Sequence, residues 1–128
     1  MVNLNQIVAV IDDDESVCRA IKRLLRSAGI AAETFSSGSE FLDTLSAIPS
    51  YRPACVILDI QMPGVNGLEV QRQLAPMGLP VIMITAYDEL SARQTAIAAG
   101  AAAYLRKPLN GAILIKAVEM AIGNTPQP

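Results

Sequence analysis

Five short apolar runs alternate along the chain with longer stretches whose apolar residues recur at helical spacing. Ile7-Val8-Ala9-Val10-Ile11 is continuous, rich in β-branched residues and halted by Asp12-Asp13-Asp14, the pattern of a strand buried on both faces and hence of a parallel sheet. Val17, Ile21, Leu24, Leu25 and Ala28 follow at helical spacing, with acids ahead of them and Arg23 and Arg26 near the end before Gly29, which predicts a first helix. Ala31 to Phe35 reads as a shorter strand, and Glu40 to Leu45 as a short helix with Ser37 or Ser39 as its cap. After the polar loop Pro49 to Pro53, Ala54 to Leu58 predicts a third buried strand ending at Asp59, and Gly67 to Leu74 a helix that stops before Pro76. Pro80 to Ile84 is a fourth strand, Ser91 to Ala99 a helix closed by Gly100, Ala102 to Leu105 a weak fifth strand and Asn110 to Ile122 a last helix.

Strict alternation of strand and helix with right-handed crossovers favours an α/β fold, a doubly wound five-stranded parallel sheet with five helices. Such a sheet binds its ligand beyond the carboxyl ends of the strands, at the topological switch point. Asp12 and Asp13 follow the first strand, Asp59 the third, Thr85 the fourth and Lys107 the fifth. Ile82 and Ala99 have no such placement and are expected in packing. Residues 1–122 are read as one domain, and 123–128, with Pro126 and Pro128, as a tail or the start of a linker.

Composition narrows the chemistry. A length of 128 residues suffices for one domain that folds without disulfide or zinc staples. Ten Lys and Arg against 12 Asp and Glu, with five aromatic residues, argue against direct nucleic-acid binding by this segment. The absence of His excludes His-based acid/base catalysis, Ser-His-Asp and Cys-His schemes, histidine zinc ligands and a phosphohistidine carrier. Cys18 and Cys55 lack zinc-type spacing and are expected to be buried thiols. The beginning of the chain lacks a signal pattern and no apolar run spans a membrane, so a cytoplasmic location without membrane contact is expected.

Three carboxylates at one sheet edge repel one another unless a hard cation sits among them, and oxygen ligands of this kind suit Mg²⁺. Asp14 is set apart as a helix cap. Carboxylate, cation, hydroxyl and ammonium together make a phosphoryl-transfer site. Asp59 is the expected nucleophile because it stands alone at its strand end, whereas the adjacent Asp12 and Asp13 suit metal ligation.

These residues resemble the receiver domain of two-component response regulators over almost the whole chain. The likeness rests on Ile11-Asp12-Asp13-Asp14, Leu58-Asp59-Ile60-Gln61-Met62-Pro63 with Gly67, Ile84-Thr85-Ala86 and Lys107-Pro108, in that order. The resemblance implies a flavodoxin-like strand order 2-1-3-4-5. It also implies that Asp59 is the phosphoacceptor, that Asp13 and the Gln61 backbone carbonyl ligate Mg²⁺ directly, and that Asp12 does so through water. Thr85 is then the switch hydroxyl, Lys107 the phosphoryl-binding amine, Tyr104 the aromatic switch, and Lys107-Pro108 a cis peptide. Gln61 and Tyr87 would flank the route of the hydrolytic water.

The implied partners are a sensor histidine kinase or histidine phosphotransfer protein, docked near the basic first helix, and an output domain or protein at the face of helix 4, strand 5 and helix 5. A phosphorylation-dependent dimer is a further use of that face. Asn66 departs from a frequent Asp and Leu109 from a frequent Phe, and neither is expected to touch the chemistry. Two rivals remain: a Mg²⁺-dependent phosphatase with an Asp nucleophile, since Asp12-Asp13-Asp14 contains Asp-x-Asp, and a flavodoxin-like electron carrier. The acidic loop after the first strand speaks against a flavin phosphate.

Overall fold

The computed structural model describes residues 7–123, so the expectations placed on residues 1–6 and on Pro126 and Pro128 lie outside the described residues. The elements alternate as read from the pattern: β1 (Val8–Ile11), α1 (Glu15–Ser27), β2 (Ala32–Phe35), α2 (Gly38–Ala47), β3 (Cys55–Asp59), α3 (Gly67–Leu74), β4 (Val81–Thr85), α4 (Leu90–Ala98), β5 (Ala103–Arg106) and α5 (Gly111–Gly123). The strands form one parallel sheet in the order β2-β1-β3-β4-β5. No described helix is long and apolar enough to cross a membrane.

Strand alternation divides the apolar runs between two cores, which is why they read as continuous. Ala9, Ile11, Val56, Leu58, Val81 and Met83 meet Phe41 of α2, Val70 and Leu74 of α3 and Ala96 of α4. On the other face Val8, Val10, Cys55, Ile57, Ile82 and Ile84 meet Ile21 and Leu25 of α1 and Leu114 and Val118 of α5. Full burial of each Val, Leu or Ile contributes about 1.5–3 kcal/mol against solvent exposure. β5, at the sheet edge, is only half-buried, in keeping with its weak pattern.

Side-chain caps fix several helix starts. Asp14 accepts from Ser16 N and Val17 N to open α1, and Ser37, rather than Ser39, accepts from Glu40 N to open α2 ahead of the expected Glu40. Asn66 accepts from Glu69 N to start α3, and Asn110 from Ile113 N to start α5. α1 closes through Gly29, whose φ of 77° lets Gly29 N and Ile30 N reach the carbonyls of Arg26 and Leu25.

Further details differ from the pattern reading. Asp59 and Thr85 are the last residues of β3 and β4, not the first after them, because the ladder continues through Ile60 N to Ile84 O at 3.0 Å and Lys107 N to Thr85 O at 2.8 Å. The helix ending at Leu74 runs on into a 3-10 turn, Ala75–Met77, whose first turn tolerates Pro76. Ala99, expected in packing, is exposed as the residue that closes α4, and the alanine buried from that helix is Ala96. Ile82 is fully buried as expected.

Candidate functional site

The parallel register brings β1, β3, β4 and β5 to a common carboxyl edge. Ile11 pairs with Leu58, Asp59 with Ile84 and Thr85 with Arg106, so the residues just past these pairs share one rim. Ligand oxygens of Asp12, Asp13 and Asp59 lie within 4.8 Å of one another. Asp12 and Asp59 are buried and Asp13 is exposed, which leaves the cluster open to solvent on the Asp13 side.

Lys107 reaches this cluster from just past the end of β5, immediately before its cis peptide bond to Pro108. Its Nζ lies 2.8 Å from Asp12 Oδ2 and 3.4 Å from Asp59 Oδ1. Those two buried oxygens find no other donor among the described residues. Burial is the largest influence on the ammonium and opposes its charge, but the carboxylates of Asp12 and Asp59 outweigh it and hold its pKa above the ordinary value. Burial, then the charge of Asp12, push the Asp59 carboxyl up to about 6, against the pull of Lys107. The single ammonium therefore leaves the carboxylates under-compensated. Buried carboxylate oxygens with spare lone pairs and an exposed third carboxylate fit a hard divalent cation.

Gly67 secures the far side of Asp59. A Cβ at that position would stand 2.2 Å from Asp59 O and 2.8 Å from Ile60 Cα, so only glycine lets the start of α3 lie against the end of β3. Its N–H donates to Ile60 O at 2.9 Å. Asn66, immediately before it, caps α3 through Oδ1, a task that Asn performs as well as Asp. Of the two departures, Asn66 is engaged by the backbone of Glu69 and Leu109 packs against the α1–α5 core.

Thr85 is fully buried. Its Oγ1 lies 2.8 Å from Gln61 Oε1 and 2.7 Å from Tyr87 O, and accepts from Tyr87 N at 3.1 Å. Tyr104 is half-buried against the core that contains Ala96, and its hydroxyl donates to Asp88 Oδ1 at 3.1 Å. Arg93 lies over the Tyr104 ring at 5.7 Å, and both Arg93 and Arg106 approach Asp88 Oδ2 at 3.9 Å. Burial first, then the bond to Asp88, raise the pKa of the phenol.

Asp12, Asp13, Asp59 and Lys107 thus converge on one cluster, while Thr85 ends the neighbouring strand against the Gln61 side chain and Tyr104 lies further back on β5, opposite Met83. Sequence reasoning missed Gly67's approach to Asp59, the bonds of the Gln61 side chain and the part of Asp88. Only Gly67 had a signal, a glycine opening a helix. Cys18 and Cys55 are buried free thiols; burial pushes them up to about 11 and about 12, which keeps them protonated and inert.

A doubly wound parallel sheet with three acids, a hydroxyl and a lysine at its carboxyl edge defines a protein of the response-regulator receiver class. Residues 8–119 match the response regulator receiver domain model, and the chain belongs to that family. It is 62% identical to a response regulator receiver protein from Burkholderia phymatum of known crystal structure, with a TM-score of 0.85 over 94% of this chain and 97% of that one. The response regulator protein TodT of Pseudomonas putida is 37% identical over 94% of this chain and 53% of its own length. The DNA-binding transcriptional regulator NtrC of Escherichia coli is 40% identical over 92% of this chain and 25% of its own length. The chain therefore spans about half the length of TodT and a quarter of that of NtrC.

Proposed function

We propose that the chain accepts a phosphoryl group on Asp59 from the phosphohistidine of a partner histidine kinase or phosphotransfer protein, and that the acyl phosphate switches the face made by α4, β5 and α5. The observation that carries this reading is the convergence of Lys107 Nζ on Asp12 Oδ2 at 2.8 Å and Asp59 Oδ1 at 3.4 Å, beside an exposed Asp13. An Asp59 oxygen attacks phosphorus, the P–N bond of the donor breaks, and the imidazole leaves with the electron pair and takes up a proton. Asp12, Asp13, Asp59 and the Gln61 carbonyl would hold Mg²⁺, which when bound neutralises phosphoryl and carboxylate oxygens.

Lys107 is already poised over Asp59 and exchanges a carboxylate contact for one with the phosphoryl group. Thr85 donates its hydroxyl to a phosphoryl oxygen, and the β4–α4 loop moves with it. Tyr104 then shifts and alters the α4, β5 and α5 face, where an output domain, an output protein or a second copy of the chain docks. Exposed Leu90 and Ile97, one helical face of α4, and Ile113 and Met120, one face of α5, suit such a partner. The basic α1 residues Arg19, Lys22, Arg23 and Arg26 supply a docking surface for the donor. The group is held as a signal, with only self-phosphorylation and self-dephosphorylation as chemistry, in the cytoplasm.

Intact mass after incubation with acetyl phosphate or phosphoramidate and Mg²⁺ tests the reading. One added phosphoryl group, labile to hydroxylamine and absent in Asp59→Asn, is expected. Full phosphorylation of Asp59→Asn would overturn the assignment. Sustained turnover of a small phosphomonoester would favour the phosphatase rival instead.

A further inference from the structure

We infer that the Gln61 side chain is a positioning residue that holds the Thr85 hydroxyl in the unphosphorylated chain and so opposes its recruitment to the phosphoryl group. This rests on the phosphoacceptor reading of Asp59. Gln61 lies two residues past Asp59, on the loop between β3 and α3, yet its side chain bonds to the last residue of β4 and to the loop that follows it. Gln61 Oε1 lies 2.8 Å from Thr85 Oγ1 and accepts from Ala86 N at 3.3 Å, while Gln61 Nε2 donates to Tyr87 O at 3.3 Å. The orientation of the amide follows from its partners: reversed, it would set oxygen against the Tyr87 carbonyl and N–H against the Ala86 N–H. One primary amide therefore bridges three successive residues of the segment that must move.

The Thr85 hydroxyl has one proton to give. Gln61 Oε1 and Tyr87 O compete for it at 2.8 and 2.7 Å, and Tyr87 N occupies one of its lone pairs. Thr85 is fully buried, so in the held arrangement its hydroxyl has no bulk water as an alternative partner. Engaging a phosphoryl oxygen on Asp59 requires it to release Gln61, and Ala86 and Tyr87 lose their side-chain partner in the same step. Gln61 thus stabilises the held arrangement selectively, and any group that binds the recruited arrangement works against that preference.

Removing the amide has two readable consequences. In the metal-free protein the amides of Ala86 and Tyr87 should exchange faster in Gln61→Ala than in wild type. The affinity for beryllofluoride with Mg²⁺, a phosphoryl mimic that is not hydrolysed, should rise roughly 3- to 10-fold, the size of one net hydrogen bond. The backbone carbonyl of residue 61 survives the substitution, so a contribution of that carbonyl to Mg²⁺ is not deleted with the side chain. An influence of Gln61 on the hydrolytic water alone would change phosphate lifetime and leave the affinity for the mimic where it was.

The double-mutant cycle with Thr85→Val decides the route. The gain from Gln61→Ala should shrink in the Thr85→Val background, since the part that acts through that hydroxyl is lost while the contacts to Ala86 N and Tyr87 O remain. The same gain in both backgrounds would overturn the proposal, as would unchanged exchange and unchanged affinity in Gln61→Ala when wild type binds the mimic. A wild type that takes up no mimic overturns the phosphoacceptor reading and this proposal with it, which separates the two failures.

Discussion

At the scale of single residues, the site stores electrostatic free energy in Asp59. Its carboxyl, raised from 3.8 to about 6 by burial and by Asp12, loses its proton more readily in the unfolded chain than in the folded one. As pH rises from about 4 to about 6, the unfolded state therefore gains relative to the folded state, and above about 6 the full deficit is present. A shift of this size corresponds to roughly 3 kcal/mol. Asp59→Asn should stabilise the metal-free protein by about 1–3 kcal/mol at pH 7.5, with the gain fading as the pH falls toward 4. Urea unfolding in chelator at several pH values measures it, and a gain independent of pH would refute the electrostatic origin. Gly67→Ala should act oppositely, costing about 3 kcal/mol because backbone at Asp59 and Ile60 cannot make room for a methyl group. Asp59 was legible in the sequence because a lone acid ending an apolar run has few structural uses. The geometric need for Gly67 was not, because it arises from a contact between two elements that only the folded chain brings together.

At the scale of elements, the continuous apolar runs were informative because both faces of the sheet are covered, so β1, β3 and β4 carry buried residues at every position. Boundaries were less legible. Ladder hydrogen bonds draw Asp59 and Thr85 into their strands, and Ser37 rather than Ser39 caps α2, whose first residue Gly38 lies close against Val70. α4 is the least anchored helix: Ala96 is its one buried residue, and its N-cap Glu89 makes no side-chain hydrogen bond. Buried Gln71 of α3 partly compensates by donating Nε2 to Ala96 O at 2.9 Å, while its Oε1 has no hydrogen-bond partner. Gln71→Leu removes one bond and one unsatisfied carbonyl, so global stability should change by less than about 1 kcal/mol. Amide exchange within α4 should nevertheless accelerate, since the tie to α3 is lost. Unaltered protection in α4 would show that this bond does not restrain the helix. Asn66→Ala, by contrast, should cost about 1 kcal/mol through loss of the α3 cap, read as a lower urea midpoint.

At the scale of the whole molecule, a chemical event at Asp59 reaches α4 and β5 only if side chains with two arrangements connect them. The contacts are in place. Thr85 is tied to Gln61 and Tyr87, and Tyr104 hangs between the core and Asp88, which also draws Arg93 from α4 and Arg106 from β5. Mg²⁺ should stabilise the wild type by mass action, about 2.7 kcal/mol at a hundredfold excess over its dissociation constant. That effect concerns the acids alone and says nothing of the relay. Thr85→Ala and Tyr104→Ala separate the two, because neither side chain supplies the nucleophile or a metal-binding oxygen. Both variants should still gain one phosphoryl group on Asp59, yet lose most of the phosphate-induced change in amide exchange across residues 85–99 and 102–107. Lys107→Ala should differ from both: its ammonium faces Asp59 directly, so phosphorylation itself should slow as well as its effect on the distant face. If Thr85→Ala and Tyr104→Ala showed the wild-type exchange response while carrying the phosphoryl group, coupling would have to run through Lys107 and the end of β5 instead. The pairing of Lys107 N with Thr85 O would then be the route left between the acids and the outer strand.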